Sequence, residues 1–164
     1  MTEREILFRG KAINRDKGYH RTKYKNGDWV YGLITRLYDD RFENLPAEMA
    51  DINGVSGIEV DHKSFGQYTG LTDKNGVKIF EGDIVKAFLH NETPMIFPIT
   101  FRVGCFWFGN WNWIEFLDKF RNVEVISNIH DNPEFLETAA KPAVKNIAQS
   151  GLAPATENFE LMEG

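Results

Sequence analysis

Short apolar stretches separated by turn residues recur along the chain, and this pattern predicts β-strands. The first two strands are expected at residues 6–8 (ILF) and 29–34 (WVYGLI), and an Asn-Gly pair at 26–27 lies just before the second. Since Asn-Gly is a favoured hairpin turn, we expect these strands to pair in antiparallel fashion. Residues 38–57 are acidic and rich in turn formers, which predicts a long loop, with or without a strand fragment. Residues 58–68 alternate well enough to predict two further strand pieces.

The densest turn signals lie in the middle of the chain. Residues 73–76 (DKNG) and 81–83 (EGD) bracket a short apolar run at 77–80 (VKIF). Asp73 suits the first position of a turn, where its carboxylate accepts hydrogen bonds from nearby backbone N–H groups. A helix is disfavoured here, because each glycine would cost about 1 kcal/mol in its interior. The pattern therefore predicts a compact meander in which turns and strands alternate.

An unusually aromatic hairpin is predicted in the most hydrophobic part of the chain. Residues 95–103 form an apolar run that is interrupted by Pro98. Proline has no N–H donor, so this run belongs at a sheet edge or at a bulge. Residues 106–108 (FWF) and 111–113 (WNW) then flank a turn at 109–110. The two aromatic segments are therefore expected to pair with each other.

The last part of the chain predicts one strand, one short helix and a tail. Residues 123–126 (VEVI) form the strand, whereas residues 114–122 show no clear period. Asn132 is a good N-cap and Pro133 a good first helical residue, so a short helix is expected to begin there. From residue 141 onward small residues and prolines accumulate, which is typical of a tail that is disordered or held by a partner.

Six collinear segments of the sequence resemble the YopX family of phage and prophage proteins. The central ones are residues 67–71 (QYTGL), 73–76 (DKNG) and 79–85 (IFEGDIV), and the outer ones are residues 5–11 (EILFRGK), 29–32 (WVYG) and 123–134 (VEVISNIHDNPE). The resemblance covers roughly residues 3–137. It implies a largely β protein with a small SH3-like barrel and a phage or prophage origin. It implies no activity and supplies no catalytic residues.

Charge and cysteine content narrow the classes of function. The formal net charge of −5 argues against nonspecific binding of a polyanion by the whole surface. Residues 1–36 nevertheless hold nine basic side chains against four acidic ones. A single cysteine, Cys105, cannot form an internal disulfide, which favours a reducing compartment. Because the sequence also contains no run of about 20 apolar residues, we expect no membrane association and a cytoplasmic location in a bacterial host.

Two sets of side chains are candidates for binding. The basic set could form a solvated hairpin arm or an electrostatic patch for nucleic acid. It consists of Arg9, Lys11, Arg15, Lys17, Arg21, Lys23 and Lys25. The aromatic set could pack internally, contact a second subunit or line a ligand groove. It consists of Trp107, Trp111 and Trp113.

No catalytic residue, metal ligand or cofactor is predicted. The four histidines lie at no metal-ligand spacing from one another or from Cys105. Asp73, Glu81 and Asp83 could in principle bind a cation or act as acid and base. Backbone hydrogen bonding within turns explains the aspartates more simply.

We therefore predict a mainly β protein with an SH3-like small barrel, an N-terminal β-hairpin subdomain and a short C-terminal helix. The predicted divisions are residues 1–66 for the N-terminal subdomain with its basic arm, 67–137 for the barrel and helix, and 138–164 for the tail. The predicted function is that of a non-enzymatic phage or prophage accessory protein that binds a protein partner or self-associates as a homo-oligomer. Nucleic-acid binding by the basic set is the alternative, and steep salt dependence would distinguish it.

Overall fold

The computed structural model describes residues 5–13, 23–37, 46–89 and 94–135. Within these ranges the chain is mainly β, as the sequence predicts, with one complete helix. In chain order the elements are β1 (Phe8–Ala12), β2 (Trp29–Arg36), β3 (Ala47–Asp51), β4 (Ile58–Thr72), β5 (Lys78–Phe80), β6 (Asp83–Leu89), β7 (Pro94–Arg102), β8 (Cys105–Phe108), β9 (Trp111–Asn112), α1 (Trp113–Lys119) and β10 (Phe120–Asn128). No helix in the described ranges is long and apolar enough to cross a bilayer.

The first sheet is built from β1 to β5 and closes on itself. β1 and β2 form the predicted antiparallel hairpin, with Phe8 opposite Gly32. β3 pairs with both β2 and β4, and β4 returns to pair with β1, so four strands form a ring. Buried apolar side chains fill its interior, among them Val30, Met49 and Val60. β3 lies in the region that the sequence predicts as a loop with or without a strand fragment. Its run AEMAD has little strand propensity, and partners on both sides fix it as a strand.

β4 is a single strand of 15 residues, where the sequence predicts two separate pieces. Its first half buries Ile58 and Val60 in the core of the ring. Its far end packs Leu71 against a second core, which is centred on β6 to β8 and α1. The predicted boundary after residue 66 thus falls inside a continuous strand, and the division into subdomains stays a prediction.

The second sheet has the strand order β10-β6-β7-β8-β9, and α1 connects β9 to β10. All of its pairings are antiparallel, and the aromatic hairpin forms as predicted, with Phe108 opposite Trp111. Its core contains Val85, Phe97 and Phe116. Among the described residues no pairing joins β9 to β10. The SH3-like character of this part therefore stays a prediction.

The central meander folds back as the sequence predicts. β4 and β5 pair in antiparallel fashion, with Tyr68 opposite Phe80. The carboxylate Oδ1 of Asp73 accepts hydrogen bonds from the backbone N–H groups of Asn75 (2.7 Å) and Val77 (2.9 Å). Gly76 has a φ of 81°, which L-residues rarely adopt. Aspartate and glycine thus shape the turn for the reasons anticipated from the sequence.

The complete helix begins at Trp113, which the sequence places in a strand instead. Asn112 caps it, since its side-chain oxygen accepts from the backbone N–H groups of Ile114 and Glu115 at 3.0 Å each. A helix also starts after Asn132 as predicted, because Glu134 and Phe135 are helical. The residues from 136 onward, which include the predicted tail, lie outside the described residues.

A strained turn joins β7 to β8. Val103 and Gly104 form its two-residue loop and have φ values of 51° and 76°. The side chain of Val103 is 91% exposed, so no packing compensates for the left-handed backbone of a β-branched residue. Asparagine followed by glycine is the favoured pair for such a loop.

Replacing Val103 with asparagine is expected to raise the free energy of unfolding by about 1 kcal/mol, because asparagine tolerates positive φ at lower cost. Denaturant titration measures the change, and an unaltered m-value would show that the shifted midpoint reflects stability alone. Val103→Ala is the matched control, since alanine removes the branched side chain but keeps the backbone penalty. A destabilised Val103→Asn variant would contradict the strain argument.

Candidate functional site

A cavity of about 750 Å³ lies between the two sheets. This volume lies within the range of natural ligand sites, about 300–1,000 Å³. The segment before β1 and strands β1, β2, β5, β6 and β10 all contribute to it. Its walls are chiefly apolar and aromatic, and they include Leu7, Trp29, Tyr31, Phe80, Val125 and Ile126.

A buried ion pair spans the two sheets at this cavity. The Arg9 side chain extends from β1, and its Nη2 lies 2.6 Å from Oδ1 of Asp83, the first residue of β6. The two side chains are only 6% and 2% exposed. The other carboxylate oxygen of Asp83 accepts from the backbone N–H of Phe80 at 2.7 Å. Burial raises the pKa of Asp83, while the charge of Arg9 and the Phe80 N–H oppose this rise.

The guanidinium of Arg9 is enclosed by aromatic rings but keeps unused donors. Its Cζ lies 4.5 Å from the ring centroid of Trp29 and 5.0 Å from that of Phe80. Nη2 donates to the carbonyl of Glu81 at 3.1 Å. In the described part of the chain neither Nη1 nor the buried Nε has a hydrogen-bond acceptor. Such an orphaned buried donor is uncommon in folded proteins.

Polar groups beside the ion pair hold Trp29 in place. Its indole N–H donates to Asp131 at 3.3 Å, and Lys11 forms an ion pair with the same carboxylate. The ring of His130 lies edge-on to Trp29, with centroids 5.9 Å apart. Burial lowers the pKa of His130, and the positive charges of Arg9 and Lys11 lower it further. These contacts fix the aromatic wall on the side of the cavity nearest to Arg9.

The rim of the cavity exposes apolar side chains to solvent. Tyr31, Ile52, Val77 and Ile126 all line the cavity and are all exposed. Ile52 is the most exposed of them, at 71%. An ion pair between Lys78 and Glu5 also lies among the lining residues. The exposed apolar patch is thus continuous with the apolar interior.

The structure places the predicted turn carboxylates in structural roles. Asp83 holds Arg9 and caps Phe80, while Asp73 bonds its own turn and accepts from the backbone N–H of Val125 in β10 at 3.1 Å. Burial alone would raise the pKa of Asp73, but backbone hydrogen bonds from Val77, Val125 and Asn75 outweigh it and lower the pKa. Asp73 therefore links the β4–β5 turn to the second sheet.

Replacing Asp73 with alanine is expected to lower the free energy of unfolding by about 2–3 kcal/mol, because buried backbone donors lose their acceptor. Asp73→Asn keeps the two bonds within the turn and should cost less. Since the folded-state pKa lies below the unfolded value of about 3.9, the stabilisation is complete above that pH and is lost as the pH falls further. Urea titrations at pH 7 and pH 3 measure this, and equal losses at both would contradict it.

The four described members of the predicted basic set do not form one exposed patch. Arg9 is buried, and Lys11 is paired with Asp131. Lys23 lies 3.0 Å from the buried carboxylate of Asp51. Lys25 is exposed, while Arg15, Lys17 and Arg21 lie outside the described residues. Arg9 therefore cannot serve as a surface phosphate contact, for which an exposed side chain is required.

The predicted tryptophans do not form a common surface either. Trp107 lies opposite Asn112, and its indole N–H donates to the carbonyl of Arg102 at 3.0 Å. Trp111 lies opposite Phe108 and packs against the second core, with its ring 6.0 Å from that of Phe120. Trp113 begins α1 and is exposed. The hairpin thus directs Trp107 and Trp111 to opposite faces.

Comparison with known proteins adds family membership to this geometry. Residues 20–137 match the family described as YopX protein, which covers most of the chain. The chain belongs to the YopX family. A similar solved structure is the crystal structure of protein EF1440 from Enterococcus faecalis, at 25% identity and a TM-score of 0.47. The similarity covers 82% of this chain and 99% of that one. Among curated proteins, none matches the sequence.

Several residues that line the cavity were not predicted as site residues. Trp29 and Tyr31 lie on the same face of β2, and Phe80 lies in the central meander, but the sequence pattern predicts each of them only as an ordinary strand residue. Arg9 and Asp83 are 74 positions apart in the chain, so nothing local indicates that they pair. The one indication in the sequence was that Arg9 and Asp83 both lie in segments that resemble the family.

Proposed function

We propose that this YopX-family protein is a non-enzymatic accessory protein of phage or prophage origin that binds a partner protein through the cavity between its sheets. The family membership and the resemblance of the central meander to phage and prophage proteins support the proposed origin. The single cysteine, which cannot form an internal disulfide, supports a cytoplasmic location in a bacterial host.

The exposed apolar rim is the observation that carries the mode of action. Contiguous apolar surface on a soluble domain commonly marks a place where another molecule binds. Here Tyr31, Ile52, Val77 and Ile126 surround an apolar cavity of ligand-site size. A partner that covers the rim and inserts a side chain would remove this surface from water, which is favourable by roughly 25 cal/mol per Å².

The polar groups at this cavity support binding more than they support chemistry. Asp83 is held by Arg9 and the Phe80 N–H, and Arg9 is held between two rings. A general base needs a free lone pair aimed at a substrate proton. The Asp83 side chain is only 2% exposed, and each of its oxygens already has a partner, so we assign the pair a structural and positioning role.

Affinity capture with matched variants tests the proposal. Tagged protein is expressed in host cells that carry the phage or prophage, and captured proteins are identified by mass spectrometry. Ile52→Glu puts a charge on the rim, whereas Ile114→Glu changes an isoleucine of similar exposure on α1, at 63% against 71%. We expect a partner that is captured by the wild type and by Ile114→Glu, and lost with Ile52→Glu.

Calorimetry with the purified partner should then show at least about a tenfold weaker affinity for Ile52→Glu, since a rim charge must be desolvated on binding. Light scattering shows whether the partner is a second copy of the chain. Equal capture by both glutamate variants would refute binding through the cavity. Salt-sensitive capture of nucleic acid alone would favour the alternative function.

A further inference from the structure

The charges that line the cavity cancel in pairs. Two acidic and two basic side chains contribute to the lining, namely Glu5, Asp83, Arg9 and Lys78. Arg9 pairs with Asp83, and Lys78 pairs with Glu5. A charged group that enters such a site loses its hydration and finds no free opposite charge, because every charge in the lining is already paired. Its transfer from water is therefore strongly unfavourable. The cavity is therefore suited to an uncharged occupant.

The occupant of the cavity is expected to supply a hydrogen-bond acceptor, because Arg9 has an unpaired donor there. Arg9 directs both of its polar contacts through Nη2, to Asp83 and to the carbonyl of Glu81. Its buried Nε lies beside Gly66, where an occupant of the cavity cannot reach it, whereas Nη1 is not fully buried and has no acceptor among the described groups. The guanidinium cannot turn away from its place, because the rings of Trp29 and Phe80 lie against it. Nη1 is therefore the donor that an occupant of the cavity can use.

The walls select an apolar group beside that acceptor. Leu7 and Phe80 belong to a small buried cluster with Tyr68, and Val125 contributes from β10 on the opposite side. Aromatic and branched aliphatic side chains pack well against such walls. A peptide segment combines both features, because each apolar side chain is next to a backbone carbonyl that accepts without carrying charge.

We infer that the cavity takes an uncharged apolar segment of the partner, in which one aromatic or branched side chain fills the cavity and a neighbouring backbone carbonyl accepts from Arg9. This inference rests on the function proposed above and specifies the chemistry that the partner must present. Arg9 acts as a positioning residue for the carbonyl, and Asp83 holds Arg9.

Three small probes test separately whether the occupant must be uncharged and whether it must carry a hydrogen-bond acceptor. N-acetyl-phenylalanine amide is uncharged and carries carbonyl acceptors, N-acetyl-phenylalanine carries a carboxylate, and ethylbenzene has no acceptor. Each is titrated into the full-length ¹⁵N-labelled protein, and the backbone and indole N–H signals of the cavity residues are followed by NMR. We expect the amide to shift the signals of Trp29 and Phe80 and to bind about tenfold more tightly than either other probe, as one hydrogen bond to a charged donor predicts.

Two variants test the residues themselves. Arg9→Lys keeps the pair with Asp83 but removes the unused guanidinium donors, so the amide should lose its advantage over ethylbenzene. Ile52→Glu should weaken all three probes, with Ile114→Glu as the control. If Arg9→Lys does not fold, the probe series on the wild type still decides the matter.

The outcomes separate this inference from the proposed function. Tighter binding of the carboxylate, or equal binding of amide and ethylbenzene, would overturn the inference. Co-purification of a small apolar molecule seen by native mass spectrometry would also overturn it. If no probe binds but capture of the partner is still lost in Ile52→Glu, the inference fails and the proposed function stands. If no probe binds and capture of the partner is the same with Ile52→Glu as with the wild type, the inference and the proposed function both fail.

Discussion

Replacing Asp83 with asparagine is expected to lower the free energy of unfolding by about 3–5 kcal/mol. The substitution keeps an oxygen that can accept from the Phe80 N–H, so the turn retains its cap. It leaves the guanidinium of Arg9 buried with no compensating charge. Breaking such a pair by removing one partner is far more costly than removing both.

A double-mutant cycle measures this effect. Arg9→Met leaves the Asp83 carboxylate unpaired, whereas the combination with Asp83→Asn leaves no buried charge. We expect the double variant to be more stable than the sum of the two single losses predicts, by about 2 kcal/mol or more. Equilibrium urea unfolding of the four proteins gives the coupling energy. Additive losses would show that the two charges do not stabilise each other.

Replacing Phe116 with alanine is expected to cost about 3–5 kcal/mol of stability. Phe116 is the buried residue of α1, and its ring stacks on those of Phe108 and Phe120 at 4.3 Å and 4.8 Å between centroids. It also meets Phe97 edge-on at 5.2 Å. Removing it leaves a cavity that three surrounding rings cannot readily fill.

Leu117→Ala is the matched control for Phe116→Ala. It removes a large apolar side chain from the next position of the same helix, where the residue is exposed. We expect a loss below about 1 kcal/mol, since exposed sites contribute little packing. Thermal unfolding followed by circular dichroism measures both variants. Similar losses at the two positions would contradict the assignment of Phe116 as the centre of the second core.

The central meander could be predicted from sequence because its causes are local. Asp73 accepts from backbone groups two and four residues away, and Gly76 supplies a positive φ. The aromatic hairpin was predictable for the same reason, since its turn lies between two segments of strand formers. Both features depend on residues that are near one another in the chain.

The helix α1 and the strand β3 could not be predicted in the same way. Residues 113–119 (WIEFLDK) show no clear helical period, because only Phe116 is buried. The cap supplied by Asn112 was the local signal, but the aromatic run around it favoured a strand. β3 is a strand because β2 and β4 pair with it on both sides. In both cases tertiary contacts outweigh the local preference of the residues for a secondary structure.

The candidate site was even less accessible to sequence reasoning. Arg9 counted as one basic residue among seven, and Asp83 as one turn carboxylate. Only the fold brings them to 2.6 Å from each other. A basic residue inside a basic stretch therefore gives no indication of whether it will be exposed or buried.

The length of β4 has a consequence for how the protein unfolds. One continuous strand supplies Ile58 and Val60 to one core and Leu71 to the other. Fragments made by cleaving the chain near residue 66 would each carry a severed end of that strand. Neither fragment is expected to fold stably by itself. Thermal unfolding should therefore be a single cooperative transition of both sheets, and proteolysis should depend on that same transition.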